Sequence, residues 1–175
     1  MGEILKYILL AIGTVLGQIL IDEFINIWPL FHIFVFPFFI ISLPISINRS
    51  LYLILAMLFG LTVDMFVDGV LGLNALACLV VAYFRMPILR LQFARSLIEG
   101  MNRVSILEAG LLKYILFNLI LYIIFILVYT LLDTLYSASF IVAIFWLFVN
   151  TILSLFIACA LETTFMNRFS SKFNG

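Results

Sequence analysis

Residues 51–84 read LYLILAMLFGLTVDMFVDGVLGLNALACLVVAYF, an apolar run in which Asp64 and Asp68 are the charged residues. The run is longer than the roughly 20 apolar residues that one helix needs to cross a bilayer. Gly69 directly after Asp68, together with Gly72, gives the backbone the freedom that a tight turn requires. We therefore expect two short helices, 51–67 and 70–84, joined by a turn that Asp68 caps.

The rest of the chain has the same apolar character. Of 175 residues, 66% are hydrophobic and 10% are charged, whereas soluble domains contain about 45–50% apolar and about 25% charged residues. This composition excludes a soluble enzyme, a nucleic-acid-binding protein and a disordered chain. Cys78 and Cys159 each stand alone in an apolar run, which predicts buried small side chains and neither a metal site nor a disulfide. We predict an integral membrane protein.

The other apolar runs extend this pattern to an all-α polytopic bundle of about six transmembrane helices in a single domain, residues 1–175. The runs are continuous and do not alternate, so they indicate helices rather than the strands of a membrane barrel. The predicted spans are 4–21, 27–47, 51–67, 70–84, 110–132 and 138–161, followed by a polar tail over 162–175.

With this topology, all nine lysines and arginines fall on one side of the membrane. Because basic loops stay in the cytoplasm, both termini are predicted to be cytoplasmic. Pro87 is expected to end the fourth span and to open a basic cytoplasmic loop, 85–107. This loop has three interpretations: charge that sets the topology, a docking surface for a cytosolic partner, or an amphipathic segment that contacts anionic lipid. Its arginines are Arg85, Arg90, Arg95 and Arg103.

Asp64 and Asp68 are four residues apart and would share one helix face. Ionisable groups within a span are functional candidates by default. They could cap the turn, contact a partner or substrate, or form the acid–base pair of an intramembrane aspartic hydrolase. The chain offers no nucleotide-binding loop, and its one histidine, His32, has no serine motif around it. We expect capping, and we predict a protein that is not an enzyme and uses no cofactor or metal.

Small residues predict where helices approach closely. Gly13 and Gly17 form a GxxxG pattern in the first span, and Ser154 with Ala158 forms a similar pair in the last span. Packing within the chain is the favoured interpretation, and docking of a partner helix is the second. Isolated polar side chains are expected to form hydrogen bonds inside the bundle, namely Gln18, Asn118 and Asn150.

The region 59–76, followed by Tyr83, resembles the signature region of the MreD rod-shape-determining family. The length, the six predicted spans, the inward-facing termini and the proline-containing second span fit this family as well, so the resemblance covers essentially the whole chain. The residues that carry it are Phe59-Gly60-Leu61, Asp64, Gly69, Gly72, Asn74, Ala75-Leu76, Tyr83 and Leu43-Pro44.

The resemblance implies a non-enzymatic scaffold of the cell-elongation machinery in the bacterial inner membrane. Its partners would be an MreC-like bitopic protein, a SEDS-type glycan polymerase, a class B penicillin-binding protein and the actin-like MreB. The family is similar in fold to the substrate-binding S components of energy-coupling-factor vitamin transporters, and such a component is the alternative function. The expected interface residues are Gly60, Asp64, Gly69, Gly72 and Asn74.

Overall fold

The computed structural model describes residues 2–24, 32–68, 70–137 and 140–166, and the regular structure in these ranges is entirely helical. The all-α prediction is therefore confirmed for this part of the chain. Single π-helical turns, Asp64–Asp68 and Glu162–Met166, continue the third and eighth helices. The α-helices are α1 (Gly2–Phe24), α2 (Pro37–Ser42), α3 (Arg49–Val63), α4 (Leu73–Gln92), α5 (Arg95–Gly100), α6 (Ile106–Ala109), α7 (Leu111–Ser137) and α8 (Phe140–Leu161).

Within the described ranges, five helical stretches are long and apolar enough to cross a membrane. They correspond to the first, third, fourth, fifth and sixth predicted spans. Many of their large apolar side chains are exposed, which is the expected surface of helices that face lipid. The five stretches are Leu5–Phe24, Arg49–Val67, Leu73–Gln92, Leu111–Asp133 and Phe145–Thr164.

The second predicted span, 27–47, is wrong as a single helix. Residues 32–35 are non-helical, and α2 is only six residues long. Pro44 explains the end of α2, because a proline disfavours the helical conformation in the residue before it, and Pro37 fits the first turn, where its missing N–H costs no hydrogen bond. Pro37 begins α2, and Leu43, which precedes Pro44, is extended with ψ of 151°. The first part of this predicted span, 27–31, lies outside the described residues.

The fourth helix continues beyond the predicted end at residue 84. Pro87 lies inside α4, which reaches Gln92 and has 20 residues, enough for about 30 Å at 1.5 Å per residue. Ile88 and Leu89, directly after the proline, are buried in the core and keep the last turns packed. The predicted basic loop 85–107 is therefore helical in its first part, and α5 and α6 interrupt the remainder.

The centre of the bundle is filled by residues 32–43, which we call the inner segment. Apart from His32 and Phe39, which are half-buried, all of its side chains are buried. The Phe34 ring lies 5.0 Å from the Phe125 ring and 4.7 Å from the Tyr129 ring, both on α7, with edge-on geometry. Aromatic rings favour such edge-to-face contacts. These contacts hold the inner segment against α7.

Side chains of α1 and α8 satisfy the backbone of the inner segment. Gln18 donates from Nε2 to the Ile33 carbonyl (2.8 Å), and its Oε1 accepts from the Val35 N–H (2.8 Å). The Oγ of Ser154 accepts from the Phe34 N–H (2.9 Å). Non-helical backbone is tolerated at membrane depth only when its polar groups have such partners. The expected hydrogen bonding of Gln18 is confirmed, as is that of Asn118, which donates to the Tyr114 carbonyl (2.9 Å).

Candidate functional site

The hairpin of α3 and α4 is held by a very close backbone approach at Gly60. A Cβ atom at this position would lie 2.5 Å from the Cα of Ala75 and 2.9 Å from the Asn74 carbonyl oxygen. Real Cβ atoms do not approach backbone this closely, so every larger side chain would push the two helices apart. Gly60, which the sequence marked as an interface candidate, is thus a contact within the chain.

Asp64 is completely buried and caps the start of α4. Its Oδ1 accepts from the Asn74 N–H (2.8 Å), while its Oδ2 accepts from the N–H groups of Gly72 (2.8 Å) and Ala75 (3.2 Å). The first N–H groups of a helix lack partners within it, and the helix dipole favours a negative charge there. Gly72 precedes the helix with φ of +103°, a conformation that favours glycine.

The cap of the hairpin is therefore formed by Asp64, whereas the sequence assigned this role to Asp68. Asp68 ends the π-helical turn that follows α3, and its side chain lies outside the described part, as does all of Gly69. Asn74, which is buried in the first turn of α4, takes part through its backbone N–H. The capping interpretation of this region holds for Asp64, and the predicted cap by the Asp68 side chain lies outside the described residues.

Arg85 was predicted to lie in a cytoplasmic loop, but it is buried on α4 with 2% of its surface exposed. Its Nη2 donates to the carbonyl of Leu43, which is extended because Pro44 follows it. The guanidinium carbon lies 4.9 Å from the centre of the Tyr52 ring, and the Tyr52 hydroxyl donates to the Ile40 carbonyl (2.7 Å). Arg85 thereby connects α4 to α3 and to the inner segment.

Two further arginines lie near Arg85 at the exposed surface. Arg90 is exposed on the last turn of α4, one of the positions that the sequence assigned to the loop. Arg49 begins α3 and lies 4.9 Å from the ring centre of Tyr83, which is half-exposed on α4. Tyr83, a residue of the signature region, therefore contributes a cation–π contact within the hairpin.

Arg103 is also buried, and it forms an ion pair that the sequence did not suggest. Its Nη1 and Nη2 donate to the two carboxylate oxygens of Glu162, both at 2.9 Å. Glu162 was assigned to a polar tail, yet it is completely buried. Arg95, in contrast, is exposed and pairs with Glu99 on the same short helix. The one available signal for Glu162 was a single acid directly after an apolar run.

Four residues of the predicted loop 85–107 are buried, so the amphipathic, lipid-contacting interpretation is wrong for these positions. Ile88, Leu89 and Phe93 belong to the protein core, and Arg103 is paired inside it. The backbone N–H of Ile45 also donates to the Asn102 carbonyl (2.9 Å). Residues 43–49, 85–90, 102–103 and 162 consequently lie at the same end of the bundle.

The glycine pair of α1 is not used for packing within the described chain. An added Cβ at Gly13 or Gly17 would meet no atom within 4 Å, which contradicts the favoured prediction that these residues pack inside the bundle. On another face of α1, an apolar groove of about 320 Å³ lies between α1 and α3. The groove is lined by Ala11, Ile12, Val15, Leu16, Ile19, Phe59, Thr62 and Phe66.

Comparison with known proteins adds no relative: no family model, no curated protein and no solved structure matches the chain. The resemblance to the MreD family therefore rests on the residues quoted above.

Proposed function

We propose that the protein is a non-enzymatic scaffold of the cell-elongation machinery in the bacterial cytoplasmic membrane. It would help to maintain rod shape by positioning peptidoglycan synthesis through contacts with an MreC-like bitopic protein, a SEDS-type polymerase and a class B penicillin-binding protein, with MreB as a possible cytoplasmic partner. The observation that carries the proposal is the uncovered glycine face of α1.

The two sides of α1 differ in a way that favours a partner helix. Leu10, Thr14 and Gln18, spaced four residues apart, are buried and attach α1 to the bundle. Gly13 and Gly17 lie beside this stripe and meet no other part of the described chain. Because glycines at this spacing allow two helix backbones to approach closely, the single transmembrane helix of an MreC-like protein is the proposed occupant.

The chemistry of the groove between α1 and α3 supports an apolar partner rather than a polar ligand. Its lining is apolar apart from Thr62, whose hydroxyl donates to the Leu58 carbonyl (2.9 Å). Substrate-binding proteins such as vitamin-transporter S components need several convergent polar groups. The apolar groove between α1 and α3 lacks such groups and therefore supports the scaffold over that alternative.

The hydrogen bonds of Asp64 support a protein that is not an enzyme. Its carboxylate is occupied by three backbone N–H donors, whereas a catalytic acid–base pair requires a carboxyl group that is free to exchange a proton. The capping role accounts for this buried charge without any reaction.

The distribution of positive charge suggests which end of the bundle faces the cytoplasm. The end of the bundle that carries Arg49, Arg85, Arg90 and Arg103 would face the cytoplasm by the positive-inside rule. A cysteine placed at exposed Leu91 in the intact host should resist a membrane-impermeant maleimide until the cells are opened. Labelling of intact cells at this position would contradict the orientation and, with it, the family assignment.

Site-specific crosslinking tests the proposed interface. A photo-crosslinking amino acid at exposed Leu16, next to the glycine pair, should capture a co-expressed MreC-like protein, and the double variant Gly13→Leu/Gly17→Leu should abolish both capture and co-purification. Gly100→Leu is the matched control, because Gly100 is also in open space but lies on α5. Depletion in a rod-shaped native host should produce rounded cells. Unchanged co-purification of the double variant would reject the α1 interface, and normal rods would reject the function.

A further inference from the structure

A second cavity, also about 320 Å³, lies at the end of the bundle where the arginines collect. It is formed by the start of α3, the last turns of α4 and the connection that follows the inner segment. Its volume falls at the lower end of the range of small-molecule sites, about 300–1,000 Å³. The lining residues are Ile45, Ile47, Arg49, Tyr52, Ala82, Arg85, Met86, Pro87 and Arg90.

The wall of this cavity contains a buried charge that the described chain does not neutralise. Arg85 is 2% exposed, its Nη2 bonds to the neutral Leu43 carbonyl, and its Nε is buried without a hydrogen-bond partner. Within the described ranges, ion pairs are formed by Arg95 and Arg103, and no carboxylate lies within 4.0 Å of Arg85. A buried cation without a counter-charge is unfavourable, so the site favours an anion.

The remaining lining strengthens this preference. Arg49 and Arg90 bring the number of guanidinium groups on the cavity to three, and no acidic residue is among the lining residues. Arginine is suited to phosphate because its planar group donates two parallel hydrogen bonds to neighbouring oxygens. Ile45, Ile47 and Met86 give the rest of the wall an apolar character that fits a molecule with a non-polar part.

We propose that this cavity binds a phosphate-bearing anion, with Arg85 as the buried counter-charge and Arg49 and Arg90 as the exposed clamps. The anion comes either from the headgroup of an anionic phospholipid or from a free phosphate compound. The proposal goes beyond the scaffold function, because it concerns the end of α3 and α4 and not the glycine face of α1.

The test uses the purified full chain and two probes. Native mass spectrometry measures retention of phosphatidylglycerol against phosphatidylcholine, and a thermal shift assay measures stabilisation by sodium pyrophosphate. We expect retention of phosphatidylglycerol if the source is lipid, or a melting temperature that rises with pyrophosphate if the source is a free phosphate; each result supports the site. A basic residue at a membrane surface contributes about fivefold in affinity, so Arg49→Gln/Arg90→Gln should weaken binding by roughly 25-fold.

The controls separate a built site from diffuse positive charge. Arg95→Gln removes an arginine of the same region whose side chain is 93% exposed and outside the cavity, and it should bind as the wild type does. Arg49→Gln and Arg90→Gln alter exposed side chains, so the fold should persist, which circular dichroism checks. The proposal is overturned if neither probe binds, if the double variant binds like the wild type, or if Arg95→Gln weakens binding equally.

Discussion

Arg103 and Glu162, 59 positions apart, form a buried bidentate ion pair in which both N–O distances are 2.9 Å. The pair joins the connection between α5 and α6 to the π-helical turn that extends α8. Two parallel charge-assisted hydrogen bonds fix distance and angle together, so the end of α8 is held in one position relative to that connection.

Removing one member of this pair should destabilise the protein strongly. We expect Glu162→Gln to lower the free energy of unfolding by about 3–5 kcal/mol, because it leaves a buried guanidinium without a counter-charge. Denaturant titration in detergent micelles measures the effect. Glu99→Gln is the control, since it removes the partner of the exposed Arg95 and exposed pairs contribute little. Equal stability of both variants would contradict the structural role of the pair.

The approach of α3 to α4 predicts that Gly60→Ala is disruptive. Its methyl group would lie 2.5 Å from the Cα of Ala75, and overpacking of this kind costs about 1–3 kcal/mol or more. Thermal unfolding followed by circular dichroism measures the loss. Gly13→Ala, which places the same methyl group in open space on α1, should unfold at the wild-type temperature or slightly above it. A wild-type melting temperature for Gly60→Ala would show that the helices are further apart than described.

The cap formed by Asp64 predicts a loss of stability in Asp64→Asn. The amide can accept through one oxygen only, so at least one N–H of Gly72, Asn74 and Ala75 loses its partner. An unsatisfied buried group costs about 1–3 kcal/mol, and hydrogen exchange at the start of α4 should increase accordingly. Asp133→Asn, a half-buried carboxyl group near the end of α7, is the control. Slow exchange at the start of α4 in Asp64→Asn would argue against the cap.

The contact between α8 and the inner segment predicts that Ser154→Ala is destabilising. The change leaves the Phe34 N–H without its acceptor, which costs about 1–3 kcal/mol at a buried position. Thr62→Ala, which removes an exposed hydroxyl bonded to its own helix, should have little effect. Chemical denaturation measures the free energy of unfolding of both variants. An equal, small loss of stability in both would mean that the Phe34 amide has another partner.

The sequence was sufficient to predict the helical class and the α3–α4 hairpin because both depend on local properties. Run length and composition report how far an apolar helix extends, and Gly72 marks the turn. The second span could not be predicted in the same way. Hydropathy is equally high for a helix that faces lipid and for a non-helical segment enclosed by helices. What allows the second of these here is hydrogen bonding of the backbone to the side chains of Gln18 and Ser154, which are distant in sequence.

The basic residues were misassigned for a related reason. Charge counting places every arginine in water, but Arg85 is stabilised inside the bundle by the Leu43 carbonyl and the Tyr52 ring. Arg103 is stabilised by Glu162, a partner 59 residues away. Neither spacing nor composition indicates such pairings, because they depend on how the helices meet. Pro87 was expected to end α4 because proline lacks the N–H of a helical hydrogen bond. The burial of Ile88 and Leu89 in the core outweighs this effect.

The hydrogen bond from Phe34 to Ser154 imposes an order on biosynthesis. Ser154 is made 120 residues after Phe34, which corresponds to about 6–24 s at ribosomal speeds of roughly 5–20 residues per second. During that interval the Phe34 amide lacks this hydroxyl acceptor, so the hydrogen bond forms only after α8 has been synthesised. The native contacts of the inner segment are therefore complete only when the last helix has been added.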